Sequence, residues 1–102
     1  MTEGVKAVSK VVLVLMKSPE ADATLDVMRD DHPQIQIEDA GTYWKLEHPR
    51  EILVDLGRVA DELGEEISLS EWLVIMSSFV GRVETEPDSF RVTSEMLQLG
   101  NA

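Results

Sequence analysis

A chain of 102 residues fits one domain and is long enough to bury a core without staples. Its 20 Asp and Glu against 9 Lys and Arg leave a formal charge of −11, which repels a phosphate backbone over most of the surface and speaks against a nucleic-acid partner. With no cysteine, disulfides, thiolate metal sites and cysteine nucleophiles are excluded as well, which suits a cytoplasmic address.

The start, "MTEGVKAVSKVVLVLMK", places Lys6 and Lys10 ahead of an apolar run. That run is shorter than the apolar region of about 7–15 residues in a signal peptide, and far short of the roughly 20 residues of a membrane span. Residues 1–9 read as a short, flexible N-terminal arm, 10–99 as the domain and 100–102 as a tail. "VVLVLM" is β-branched and apolar at every position, so it reads as a central strand covered on both faces. In "KSPEADATLDVMRDD", Ser18 is an N-cap, Pro19 takes the first helical position, and Ala21, Leu25 and Met28 recur at helical spacing. Residues 34–39, 42–48 and 51–56 alternate and read as a meander of three antiparallel strands. Asp55 caps a helix that Gly64 stops, and "SLSE" is a capping box with Ser68 as N-cap and Glu71 reaching back. A third helix is expected over 69–78, burying Leu69, Trp72, Leu73 and Met76 and broken by Gly81. Two strands follow, 82–85 and 90–94, around a Glu-Pro-Asp turn. The order β-α-β-β-β-α-α-β-β predicts an α+β domain with a largely antiparallel sheet.

Little in this pattern carries chemistry. Ser77 and Ser78 are adjacent, but no Gly-rich elbow surrounds them and the only candidate bases are His32 and His48. Asp30, Asp31 and His32 are consecutive, so their side chains do not converge on one ion, and no metal-binding spacing is present. The expected third helix is the unusual element. Val74 falls opposite its buried stripe with Ile75 on the flank, where charge belongs on an amphipathic helix. Val74, Ile75, Ser78 and Phe79 therefore read either as residues covered by another element or as a low-charge contact patch for a protein partner.

Five segments, "VVLVLMKS", "IEDAGTYWKL", "ILVDLGRVADELG", "WLVIMSSFVGR" and "SFRVTSEMLQL", resemble in order and spacing the coupling (effector or regulatory) proteins of soluble bacterial diiron monooxygenases. The resemblance spans about residues 10–99. It looks closest to the methane and alkene monooxygenase branch, with phenol and toluene members more distant. It implies a cofactor-free, non-catalytic protein that binds the hydroxylase component above its diiron centre. There it would reshape the active site, gate oxygen and hydrocarbon, and couple NADH use by a reductase component to substrate oxidation.

On the matching positions, the resemblance implies hydroxylase contacts at Val74, Met76, Ser77, Ser78 and Phe79. Gly81 and Arg82 match as the turn after the helix and an anchor, and Tyr43 and Trp44 also match. Met76 belongs to the helix's buried stripe, and Trp44 equally fits a core role. Two departures stand out. The methane branch has a long N-terminal arm where this sequence has little before Val8, and Phe79 replaces a smaller polar residue, which points toward alkenes or longer alkanes. The residues by themselves leave open a small hydrolase using Ser77 or Ser78 with His48, and a generic acidic α+β interaction module with an unrelated partner.

Overall fold

The computed structural model describes residues 10–94; the expected arm and the end of "TSEMLQL" lie outside them. Within this range seven strands and three helices follow one another: β1 (Val11–Met16), α1 (Pro19–Asp31), β2 (Gln36–Asp39), β3 (Tyr43–His48), β4 (Glu51–Asp55), α2 (Leu56–Leu63), α3 (Leu69–Leu73), β5 (Met76–Val80), β6 (Arg82–Glu86) and β7 (Ser89–Thr93). The class is α+β, as expected. The strands form two antiparallel sheets, ordered β2-β3-β1-β5 and β4-β7-β6.

The helix starts follow their caps. Ser18 Oγ accepts from the Ala21 N–H with Pro19 at the first position, and Asp55 Oδ1 accepts from the Gly57 and Arg58 N–H groups. The Ser68 and Glu71 side chains each accept from the other's backbone N–H, completing the capping box. Gly64 closes α2 in the left-handed conformation, with φ 86°.

Three expectations are corrected. The meander stops after β3, because β4 crosses to the other sheet and pairs with β7, burying Ile52 and Val54 beside Val92 and Phe90. Local alternation specifies a buried face, not a strand's partner, and here the partner lies some forty residues on. Second, β1 is fully covered on one face only. Val11, Leu13 and Leu15 are buried, whereas Val12 and Val14 are half-buried and Met16 is exposed.

Third, α3 ends at Leu73, and "MSSFV" is a strand rather than the last turn of a helix. The helix tightens as it ends, with the Val74 N–H reaching Glu71 O at 3.3 Å and the Ile75 N–H reaching Trp72 O at 3.0 Å, both i→i+3 bonds. The Ile75 carbonyl then accepts from the Met16 N–H at 2.7 Å, so it belongs to the sheet. Val74 and Ile75 are β-branched, and Ser77 and Ser78 are poor helix interior residues, so local preference opposes the switch only weakly.

One core joins both sheets and all three helices. Trp72, fully buried, lies 5.0 Å from Phe90 of β7 between ring centroids, and its Nε1–H donates to Thr24 Oγ1 of α1 at 3.1 Å. Thr24 in turn donates to the Glu20 carbonyl at 2.8 Å. The chain passes from one sheet to the other at Gly81, between β5 and β6, with φ 135°. A Cβ there would lie 2.7 Å from Thr93 O and 2.8 Å from Val92 Cγ2, so both the conformation and the close approach require glycine.

Gly81→Ala is expected to lower stability by about 2–4 kcal/mol, from backbone strain and overlap, read as a shift of the urea midpoint at unchanged slope. Thr24→Val, which leaves the Trp72 N–H without its acceptor, should cost about 1–3 kcal/mol. Thr24→Ser, which keeps the oxygen, should cost less in the same titration.

Candidate functional site

Strand pairing assigns a face to each expected contact residue. On β1, Leu13 and Leu15 point into the core and Val14 and Met16 point out. Residues opposite each other across a pair share a face. Tyr43 lies opposite Met16 and is exposed, so it faces out; Trp44 lies opposite Leu15 and faces the core, half-buried. On β5, Ser78 lies opposite Val14 and Val80 opposite Val12, both facing out. Met76 lies opposite Leu15 and Phe79 opposite Leu13, both on the core side. Phe79 is nevertheless 40% exposed, because β5 is the last strand of its sheet and nothing among the described residues flanks it there.

The expected patch thus divides. Val74, 73% exposed, stands at the turn between α3 and β5. Ile75, expected as a possible part of the patch, is only 7% exposed and belongs to the core. Ser77 and Ser78 are exposed, and Met76 is half-buried against the core. Gly81 is the junction between sheets, not a turn after a helix, and Arg82 opens β6 opposite Thr93. Tyr43 shares the outward face with Ser78, but β1 lies between their strands, which spaces those strands about 10 Å apart.

Two exposed apolar residues were missed in the sequence: Val80, 57% exposed, and Met16, 49% exposed. Val80 was hidden by reading its segment as a helix end. The available signal was the pair of β-favouring residues Phe79 and Val80 directly before Gly81 and the next strand.

Beside this face, Trp44 is held by electrostatics. Lys17 Nζ sits 4.5 Å from the Trp44 ring centroid and bonds Asp39 Oδ1 at 2.7 Å. Asp39 also accepts from the Gly41 N–H at 3.0 Å. The Lys17 hydrogen bond first, and the Gly41 N–H second, hold the Asp39 carboxyl below its ordinary pKa. A second link joins two helices: Arg58 grips Asp31 through Nε and a terminal nitrogen, both at 3.0 Å, tying α2 to α1.

The arrangement offers little for catalysis. His48 Nδ1 accepts from the backbone N–H groups of Arg50 and Glu51, which makes it a turn cap. Among the described residues no three His, Asp or Glu side chains gather as they would around a metal ion. What the surface offers is a strand of uncharged side chains, Met76 to Val80, on a strongly acidic chain.

The MmoB/DmpM family profile matches residues 9–93. The chain is 35% identical over 97 residues to methane monooxygenase regulatory protein B of Methylosinus trichosporium, across 90% of this chain and 70% of that protein. It is 33% identical over 95 residues to the protein of the same name from Methylococcus capsulatus, across 87% of this chain and 67% of that one. The solved structure of the soluble methane monooxygenase regulatory protein B superposes with a TM-score of 0.70 at 32% identity, over 89% of this chain and 69% of that chain. A chain from the structure of a phenol hydroxylase–regulatory protein complex superposes with a TM-score of 0.74 at 15% identity, over 82% and 97%, which shows a shared fold.

Because the Asp39 pKa is lower folded than unfolded, its contribution to stability is present above the ordinary Asp value of about 3.9 and is lost as pH falls through the lowered one. Asp39→Asn should therefore be less stable than wild type at pH 7, with the difference fading in denaturant titrations taken progressively below pH 4.

Proposed function

The chain belongs to the MmoB/DmpM family, and on that premise we propose that it is the regulatory component that binds the hydroxylase of a multicomponent monooxygenase. In this reading it carries no cofactor. It docks above a diiron centre, reshapes the active site, and governs the entry of oxygen and a small hydrocarbon. Reductant drawn from NADH through a reductase component is thereby coupled to product.

The observation that supports this best is the uncharged strand β5. The chain carries 20 acidic residues and a net charge of −11, yet Met76, Ser77, Ser78, Phe79 and Val80 stand together at a sheet edge without a charge, all but Met76 exposed. Small hydroxyls let a partner backbone approach closely and are well hydrated before it does. Val74, Tyr43 and Arg82 are proposed to extend the contact, and Gly81 to position it. Trp44 and Met76 act from beneath, as packing residues. The net charge would steer the protein toward a basic recess, so the association rate falls as salt rises. Phe79, with its ring emerging at the edge, is the residue proposed to bias the hydrocarbon toward alkenes or longer alkanes.

Titrated into active hydroxylase and reductase, the protein should raise both turnover and product per NADH, reaching a plateau near about one equivalent per active site. Ser78→Trp should retain its thermal transition and lose about tenfold or more in hydroxylase affinity by calorimetry. Wild-type affinity in that variant would remove β5 from the interface.

A further inference from the structure

A groove of about 940 Å³ is lined by both sheets: Gln36 and His48 from the first, Arg91 and Thr93 from the second, with Arg50 in the turn between β3 and β4 and Ser94 just past β7. It lies at the His48 end of β3, about 17 Å along the strand from Tyr43. None of the residues proposed for the hydroxylase contact lines it.

The polar groups of this groove are unevenly used. Arg91 is occupied: it bonds Glu51 at 2.9 Å and stands 3.8 Å from Glu84, so the two acids of the lining already face a cation. Arg50 is not. Its side chain has no partner among the described residues, so a fork of five donors stands unmatched on a chain of charge −11. His48 Nδ1 accepts from two backbone N–H groups, which places the proton of the neutral ring on Nε2 as a further donor. Ser94 Oγ is buried without a hydrogen bond. Such a hydroxyl costs free energy, which a bond from a bound group would recover. Gln34 and Gln36 add amides that both donate and accept.

We propose that this groove binds an extended peptide segment of a partner protein through one carboxylate. Arg50 is the seat of the carboxylate, since its planar fork matches that group in two parallel bonds. The donors of His48 and Ser94 and the amides of the two glutamines serve the peptide groups on either side. Apart from the acids that face Arg91, donors outnumber acceptors in the lining, so the ligand must bring acceptors; a carboxylate flanked by peptide carbonyls does so. The volume suits a short segment. The net charge limits the ligand further. A multiply acidic partner would be repelled at long range, so the segment carries a single carboxylate and is otherwise uncharged. An internal acidic side chain and a chain's C-terminus both present this chemistry.

Three short N-acetylated peptides of alternating alanine and serine serve as probes. One ends in a free carboxylate, one is amidated with a central glutamate, and one is amidated with glutamine at that place. Binding is read from backbone amide shifts in the full chain, with sodium acetate titrated separately. At least one carboxylate peptide is expected to shift the amides of Gln36, His48, Arg50 and Ser94 and to bind about tenfold or more tighter than the glutamine peptide. Which one does so identifies the source, internal side chain or chain end. Arg50→Gln, whose side chain holds nothing in the free protein, should keep its thermal transition and bind that peptide about tenfold more weakly. If it does not fold, Arg50→Lys, which keeps the charge and gives up the fork, takes its place with an expected loss of about threefold. The proposal is overturned if neither carboxylate peptide shifts these amides or outbinds the glutamine peptide, or if the folded Arg50 variant binds as wild type does. It is overturned as well if acetate produces the same shifts at the same concentrations, which would make the groove a site for small anions. No hydroxylase enters the experiment, so its outcome is separate from that of the regulatory reading.

Discussion

Trp72 is the contact on which the arrangement of this protein depends. It sits in a helix of five residues, too short to persist alone. Its ring packs on Phe90 in one sheet, and its N–H is held by Thr24 in the long helix. A reciprocal capping box fixes the start of the same short helix. With Trp72 placed, only two residues separate its turn from the point where the Ile75 carbonyl joins β1 through Met16. The position of β5, and so of both serines, is set from the core outward.

The second constraint is steric. The chain leaves one sheet and enters the other at Gly81, where the backbone lies against Thr93 and Val92 too closely for any side chain. β5 is therefore held at both ends: by Trp72 before it and by the glycine corner after it. A strand fixed in this way is preorganised for any contact it makes. A loop carrying the same residues would lose conformational entropy on binding, whereas a strand already paired along one edge gives up little.

These two restraints also explain why the surface is divided as it is. Met76 is half-buried against the core and Phe79 turns to the same side yet stays 40% exposed, while Ser77, Ser78 and Val80 are exposed. Across β1, Tyr43 continues the outward face, and the Lys17–Asp39 pair over Trp44 keeps the β2–β3 hairpin in place. Charge works at longer range. The acidic balance gives the molecule a negative field, within which β5 is a strand without charged side chains.

The sequence by itself determined the family, the α+β class, and every helix start. Caps such as Ser18, Asp55 and Ser68 act on backbone groups within three residues of themselves, so their meaning is local. It also singled out Val74, Ile75, Ser78 and Phe79 as a patch too poor in charge for its surroundings, though Ile75 proved to be core. The tertiary structure decided the rest. Whether 74–80 continues a helix or starts a strand turned on the free backbone of β1, which offers partners that no periodicity in the segment records. β4 met β7 instead of β3 for the same reason, since strand pairing is a choice among distant edges. The β-bulge at Ser77, where Leu15 stands opposite Met76 and Val14 opposite Ser78, was least legible of all: a single extra residue leaves no mark on composition, and only the register against β1 shows which way each side chain faces.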